Sequence, residues 1–503
     1  MQRLIRFADA LASPAILIVV VWCAMLALVA AGPIDYPRQP SLAVLATVGI
    51  GVLLFLFGYR GGRLLFDSWF ARQRELPAPS ARELNRVVLV SALVGIVGIG
   101  LVALDRMILS GVNNSGYATL LRCAPELVET IAIRRTALLY LGYVMFSFGF
   151  VSVILFLLHG EIVRGWAAAL AQVSIICPVG YALLYSGRMP ILFIVVLVIA
   201  AMLVRVSQGR PPLPPGQYLL LKTIVGIGLF AVYTSSTWSS RESFCVQVAP
   251  LVKELQQENQ LREAASAEAS PENRPKPAEA MTATDLSKRL SDTTAVQPPA
   301  PQTTSADAAL AMMKEAWNVK PRGYVTSALD AGYLSPGGVM SGLRSYFYLT
   351  HGVRTIDLAW HAREGFSRHW GLYEVGVLSP ILRVFVPDNQ QLAAMETEQR
   401  ASGIYGFYPT VWLAAFIDFG FVGAIIYILI WGFVAGWSAA AAKRSSLITP
   451  RLVLVFVLVS ILLSPIQGPL GIANSALVLI SMLVVGLVVD MRMKFARAAG
   501  AEN

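Results

Sequence analysis

Residues 14–31 read PAILIVVVWCAMLALVAA, a run without a charged or strongly polar side chain. A helix that crosses the apolar layer of a bilayer needs about 20 such residues, because each adds only about 1.5 Å along the axis. The window 13–31 reaches that length. No A-x-A-type cleavage pattern follows a short apolar core, so the segment reads as a retained helix rather than a removable signal. The same pattern recurs near 41–58, 87–105, 136–158, 166–186, 189–205, 218–236, 420–441, 452–468 and 470–489. These make about ten spanning candidates in all.

Composition agrees. The chain has 503 residues, of which 56% are hydrophobic and 14% charged, and its mean hydropathy is +0.62. Soluble domains carry about a quarter charged residues, so a soluble enzyme, a disordered chain and a fibre are all excluded. The fold class is all-α, a polytopic membrane helical bundle. The net charge of +10 does not call for a nucleic acid, since Lys and Arg collect on cytoplasmic connections to set orientation. Arg3 and Arg6 precede the first helix, and Arg60, Arg63, Arg72, Arg74, Arg82 and Arg86 fall between the second and third. Arg164, Arg205, Arg210, Lys222, Lys443, Arg444, Arg451, Arg492, Lys494 and Arg497 share that side if helices alternate. Both termini are then cytoplasmic. The 4 cysteines have no metal-ligand spacing, and neither a metal nor another cofactor is expected. Cys123 and Cys245 fall outside by this topology and can pair in an oxidising space, whereas Cys23 and Cys177 read as packing residues within helices.

Three regions follow: seven helices in 1–236, a large outer loop over 237–406, and an interfacial segment plus three helices in 407–503. Within the loop, 255–310 contains ENRPKPAEA and AVQPPAPQTT, a composition that cannot bury a core and reads as a disordered linker. The part from 311 to 406 is aromatic, basic and helical in pattern. RPPLPPG at 210–216 reads as a short stiff connector.

Charge at membrane depth is costly and therefore informative. Arg188, in YSGRMP, is the only charged residue between Arg164 and Arg205. Pro190 suits the first turn of the next helix, whose N-terminus favours anions. An anion site and an arginine reaching lipid phosphate are both open readings. Arg241 follows YTSSTWSS at the outer end of the seventh helix and has the same two readings. His351, His361 and His369 lie among Arg344, Arg354, Arg363, Arg368 and Arg383, against only Asp357, Glu364 and Glu374. Seven residues separate Arg344 from His351, and likewise Arg354, His361 and Arg368, which returns each set to nearly one helical face. Gly352 and Gly365 interrupt that pattern. The histidine spacing of ten and eight matches no zinc pattern, and general-base work by His351 or His361 is the more fitting chemistry. A net positive stretch with Tyr346, Tyr348, Trp360, Trp370 and Tyr373 suits a diphosphate and a sugar, or an anionic lipid surface. Asp418, the only acid between Arg400 and Lys443, is expected to cap the helix that opens at DFGFVG, after a short interfacial helix over 408–417.

SGR at 186–188, RSYFYLTHG at 344–352 and YGFYPTVWLAAFIDFGFVG at 405–423, with a long outer loop late in the chain, together resemble the Wzy-type oligosaccharide repeat-unit polymerases of O-antigen and exopolysaccharide synthesis. The resemblance implies a GT-C-like glycosyltransferase of the bacterial inner membrane. Its donor and acceptor would be undecaprenyl-diphosphate-linked glycans, with a chain-length regulator and a flippase as neighbours in the pathway. It implies that Arg188, Arg344 and Arg354, with Arg241, hold the diphosphate, and that His351 or His361 handles the acceptor hydroxyl. An O-antigen ligase, a lipid-linked sugar flippase and an export component are the alternatives.

Overall fold

The computed structural model describes residues 10–36, 40–70, 79–109, 136–215 except 186 and 188, 319–386 except 335, 389–471 except 403 and 405–408, and 473–501, with single positions at 226, 228, 232 and 257. In chain order the elements are α1 (Pro14–Ala31), β1 (Ile34–Asp35), α2 (Leu42–Phe70), α3 (Ala81–Leu104, extended by a π turn Asp105–Leu109), α4 (Ala137–His159), α5 (Gly165–Val173) and α6 (Ile176–Leu184). Then come α7 (Met189–Ser207), β2 (Lys320–Pro321), α8 (Gly323–Asp330), α9 (Pro336–His361), α10 (Leu378–Phe385), α11 (Gln390–Ala401), α12 (Val411–Arg444), α13 (Ile448–Leu463) and α14 (Ala473–Ala501). The expected helix near 218–236, the linker 255–310, Cys123 and Cys245 lie outside the described residues.

Among the described residues, 8 helical stretches are long and apolar enough to cross a membrane, and α13 is a shorter apolar helix. A helix that is apolar all round sits either in the protein core or against lipid. Both α4 and α13 sit in the core: nearly every residue from Phe146 to His159 and from Leu452 to Ile461 is buried. The other helices surround this pair, and their outward faces leave Ile50, Leu53, Phe57, Val90, Val97, Phe421, Val422 and Ile480 exposed. Cys177 packs against Gly149 as expected, whereas Cys23 is exposed on the outer face of α1.

Close helix approach explains one seam. Gly58 and Gly62 of α2 face Gly432 and Gly436 of α12. A Cβ at any of the four would collide with a backbone carbonyl across the seam: Leu429, Phe433, Phe55 and Tyr59 in turn. Paired small-xxx-small motifs let two backbones approach without lipid between them, and van der Waals packing then replaces the hydrophobic drive that lipid cannot supply.

Several expected boundaries move for physical reasons. The span expected over 166–186 is broken into α5 and α6 at Ser174–Ile175. Pro178 has no N–H, and its ring excludes the carbonyl of Ser174 four residues back; that carbonyl instead accepts Cys177 N at 2.9 Å. α2 runs on to Phe70, which places Arg60 and Arg63 inside a helix rather than in a loop. Asp67 pairs there with Arg444 at the end of α12. The short helix expected over 408–417 begins at Val411 and is buried among the other helices, with Trp412 against Gly51 and Trp22. Thr410 caps it, its hydroxyl accepting Leu413 N. Gly420 then breaks the helix with φ 64° and ψ −171°, a left-handed conformation that glycine adopts without penalty. Asp418 therefore does not cap its own helix; its partners lie elsewhere.

The two bundle ends differ. One gathers basic connections: Asp67 with Arg444, Arg164 beside Asn85, Arg205 with Glu161, and Ile448 N on Asp490. The opposite end is covered by a layer built from β1, β2 and α8 to α11. This layer is tied down by an antiparallel pairing of Ile34 with Pro321 and Asp35 with Lys320, and by Arg322 Nη2 donating to Ala30 O at 2.6 Å. Its own small core holds Ile34, Tyr36, Val319, Leu343 and Phe347.

Candidate functional site

α9 lies in this layer over the ends of α1 and α2, and it runs unbroken through Gly352. Three hydrogen bonds fix its rotation. Tyr346 Oη donates to Leu28 O, Tyr36 Oη pairs with Thr350 Oγ1 at 2.5 Å, and Ser41 Oγ donates to Asp357 Oδ1 at 2.6 Å. The last two leave Arg354 and Asp357, one turn apart, lining one small cleft with Val29, Tyr36, Pro40, Thr350 and Val353, whose enclosed volume of about 10 Å³ holds about one water molecule. The lining joins an apolar helix end to a cation and a carboxylate. Burial pushes the Tyr36 hydroxyl's pKa up, and the nearby Arg354 charge works against that. The cation and the carboxylate can engage a polar group at the mouth of this cleft; a phosphate or a glycan would have to lie outside it.

The remaining expected site residues divide. Arg188 and Arg241 lie outside the described residues. Arg344 occupies α9, two turns before His351, and its side chain lies outside the description. His351 is buried, with its ring stacked on Phe347 at 5.2 Å and Nδ1 donating to Phe347 O at 3.0 Å. Burial lowers its pKa, while its backbone hydrogen bonds act the other way. His361 is exposed at the end of α9, where Nδ1 donates to Asp357 O at 2.7 Å and stands 3.9 Å from the Asp357 carboxylate. Neither histidine lines the Arg354 pocket.

In the same layer, the loop 367–377 is organised by Asp418. Its carbonyl accepts His369 N and Trp370 N at 3.1 and 3.0 Å, and its carboxylate accepts Tyr373 N at 3.0 Å and Glu374 N. The turn needs Trp370 at φ 53° and Gly371 at φ 94°, a strained path held by these bonds. His369 Nε2 donates to Glu398 Oε2 at 2.9 Å, and Ser367 N donates to the same oxygen at 3.0 Å. Burial pushes Glu398 up, but the Ser367 bonds and His369 outweigh it and hold this carboxyl below its usual range. Glu374 is fully buried, accepting from Tyr427 Oη and from Leu470 N on Oε1, while Oε2 has no partner among the described residues. Burial pushes its pKa up to about 8.

Comparison with protein-family models, curated proteins and solved structures returns no match. The site's chemistry is therefore read from its own atoms. Glu374, Glu398 and Tyr427 were missed by the sequence reading, which weighed the few acids of this stretch only as charge. One signal was present: Asp418 stands alone in an apolar run, and an isolated acid there must find partners.

Proposed function

We propose that the protein is a membrane glycosyltransferase that polymerises undecaprenyl-diphosphate-linked oligosaccharide repeat units, acting at the periplasmic face of a bacterial inner membrane. The observation that supports this most is the pocket in which Arg354 and Asp357 meet the ends of two apolar helices. A lipid-linked diphosphate is an amphiphile of that pattern: its tail belongs among apolar helices and its charge at their mouth.

In this reading an acceptor hydroxyl oxygen attacks the anomeric carbon of the donor sugar. The bond from that carbon to the diphosphate oxygen breaks, and the leaving diphosphate keeps the electron pair. Charge on that oxygen grows as the bond breaks, so the Arg354 guanidinium stabilises the transition state more than the ground state. The hydroxyl proton passes to the Asp357 carboxylate, which Ser41 holds in place. His361, hydrogen-bonded to the Asp357 carbonyl, steadies the helix end. His351 supports α9 from within.

The test is Arg354→Ala and Arg354→Lys in cells, with expression held constant and long-chain glycan displayed on a gel. Loss of one preorganised charge at the reacting centre costs roughly 100- to 1000-fold in rate. Arg354→Ala should abolish long chains and Arg354→Lys should shorten them. Unchanged long chains in Arg354→Ala would sink the reading.

A further inference from the structure

The basic end of the bundle holds a second polar cluster that the proposed reaction does not use. Arg205 is fully buried there. Its guanidinium donates to Leu157 O at 2.9 Å, Leu158 O at 3.2 Å and Pro211 O at 2.7 Å, and pairs with Glu161. It thereby satisfies the orphan carbonyls at the end of α4. Arg210 adds a donor to Leu158 O at 3.2 Å. The chain from Gln208 to Pro214 folds back over this end, with Pro214 against Gly160.

Beside these satisfied groups stand three buried nitrogens without a hydrogen-bond partner among the described residues. His159 is only 2% exposed, and its Nε2 has no partner. Gln208 Nε2 and Arg451 Nε are likewise buried without one. The side chains come from three elements: the end of α4, the turn after α7 and the first turn of α13. His159 and Arg451 share one electrostatic neighbourhood with Arg210 and Arg205, because the charges of Arg451, Arg210 and Arg205 all act on His159 and that of Arg210 acts on Arg451; Gln208 stands two residues before Arg210 in the same turn.

The local carboxylates are already engaged. Glu161 is bound to Arg205. Asp490 accepts Ile448 N at 2.8 Å and Thr449 N at 3.0 Å, capping α13. Among the described residues, Arg210 and Arg451 form no salt bridge. Glu161 and Asp490 offset part of the charge, but three guanidinium groups (Arg205, Arg210 and Arg451) against two carboxylates, with buried N–H groups beside them, remain costly as they stand. A water molecule satisfies a donor but leaves the like charges uncompensated. A phosphate oxygen does both.

We propose that His159, Gln208, Arg210 and Arg451 form a phosphate-binding site at the basic end of the bundle, on the opposite side from the Arg354 pocket. The ligand is a phosphate group, carried either by a phospholipid head or by free inorganic phosphate. The site is independent of the glycosyltransferase reading.

The experiment uses the full-length protein purified in detergent and stripped of lipid. One arm adds phosphatidylglycerol, with phosphatidylcholine as control, and counts retained lipid by native mass spectrometry. The other adds inorganic phosphate, with chloride at matched ionic strength, and reads the thermal unfolding midpoint and the 31P linewidth. Wild type is compared with Arg451→Gln, with Gln208→Leu, and with Arg451→Lys, which keeps the charge but removes Nε. A lipid headgroup is the source if the first arm alone shows binding that the variants weaken by about tenfold or more, the worth of one lost charge-assisted donor. Free phosphate is the source if the second arm alone does. If neither arm shows binding, or if the variants bind as wild type does, the proposal is overturned. Should Arg451→Gln fail to fold, Gln208→Leu and Arg451→Lys decide the matter by the same criterion.

Discussion

Replacing Glu374 by Gln removes one titration from the layer and leaves the hydrogen bonds to it in place. The amide oxygen still accepts from Tyr427 Oη and Leu470 N, as Oε1 does now. The amide nitrogen takes the place of Oε2, which has no partner among the described residues. Glu374 ordinarily titrates at 4.5, and burial pushes it up to about 8 in the folded chain. A raised pKa means that the folded state holds the proton more tightly than the unfolded state. The stability this gives is complete below 4.5 and is lost as pH climbs through about 8. At ~1.4 kcal/mol per pH unit, the difference amounts to a few kcal/mol. The assay is thermal unfolding in detergent at pH 6 and pH 9, for wild type and Glu374→Gln. At roughly 2 °C per kcal/mol, the wild-type midpoint should fall by several degrees more than that of the variant. Equal falls in the two proteins would refute the claim that Glu374 is a buried acid holding its proton near neutral pH.

Further outcomes follow from the packing and the site. Gly468→Ala places a Cβ into the Glu374 carboxylate and should destabilise by about 2 kcal/mol; the double variant with Glu374→Ala should recover most of it in the same unfolding assay. Gly436→Val drives a side chain into the Tyr59 carbonyl across the α2–α12 seam and should cost about 3 kcal/mol or prevent folding, read by unfolding midpoint and size-exclusion profile. Asp418→Asn removes the charge that gathers the loop 367–377, and limited proteolysis should then cut that loop faster than in wild type. Asp357→Asn should lower glycan polymerisation by roughly 100-fold or more, whereas His361→Ala should stay within a few-fold of wild type; the reverse order would return the base to the histidine.

Much of the membrane architecture was legible because it rests on a length requirement alone. The segments at 14–31, 137–159 and 189–207 lie within a residue or two of their expected windows. Burial of apolar surface needs no partner-specific geometry to be read. The connections expected to share a side, at Arg164, Arg205, Arg444 and Arg451, do meet at one end, while Lys320, Arg322, Arg354 and Arg363 belong to the layer at the other. What the sequence hid depends on contacts across long separations. The break at Ser174–Ile175 needed Pro178 to be read against the carbonyl four residues before it. The paired glycines at 58, 62, 432 and 436 carry meaning only once α2 is placed against α12. Asp418 looked like a local cap because a cap is the commonest use of an acid at a helix start; its real partners, Tyr373 and Glu374, lie about 45 residues earlier. The heptad spacing of Arg344, His351, Arg354 and His361 gave the faces of α9 but not which face looks inward. His351 turned out to face the core, and Arg354 with Asp357 the pocket.

The central claim is that Arg354 carries a leaving diphosphate during glycan polymerisation. The most direct measurement incubates purified protein with lipid-linked repeat units and resolves the products on a gel. Wild type should give a ladder spaced by one repeat unit, and Arg354→Ala, folded to the same unfolding midpoint, should return only the starting unit. A ladder of equal length from both proteins, or none from wild type with intact substrate, would contradict it.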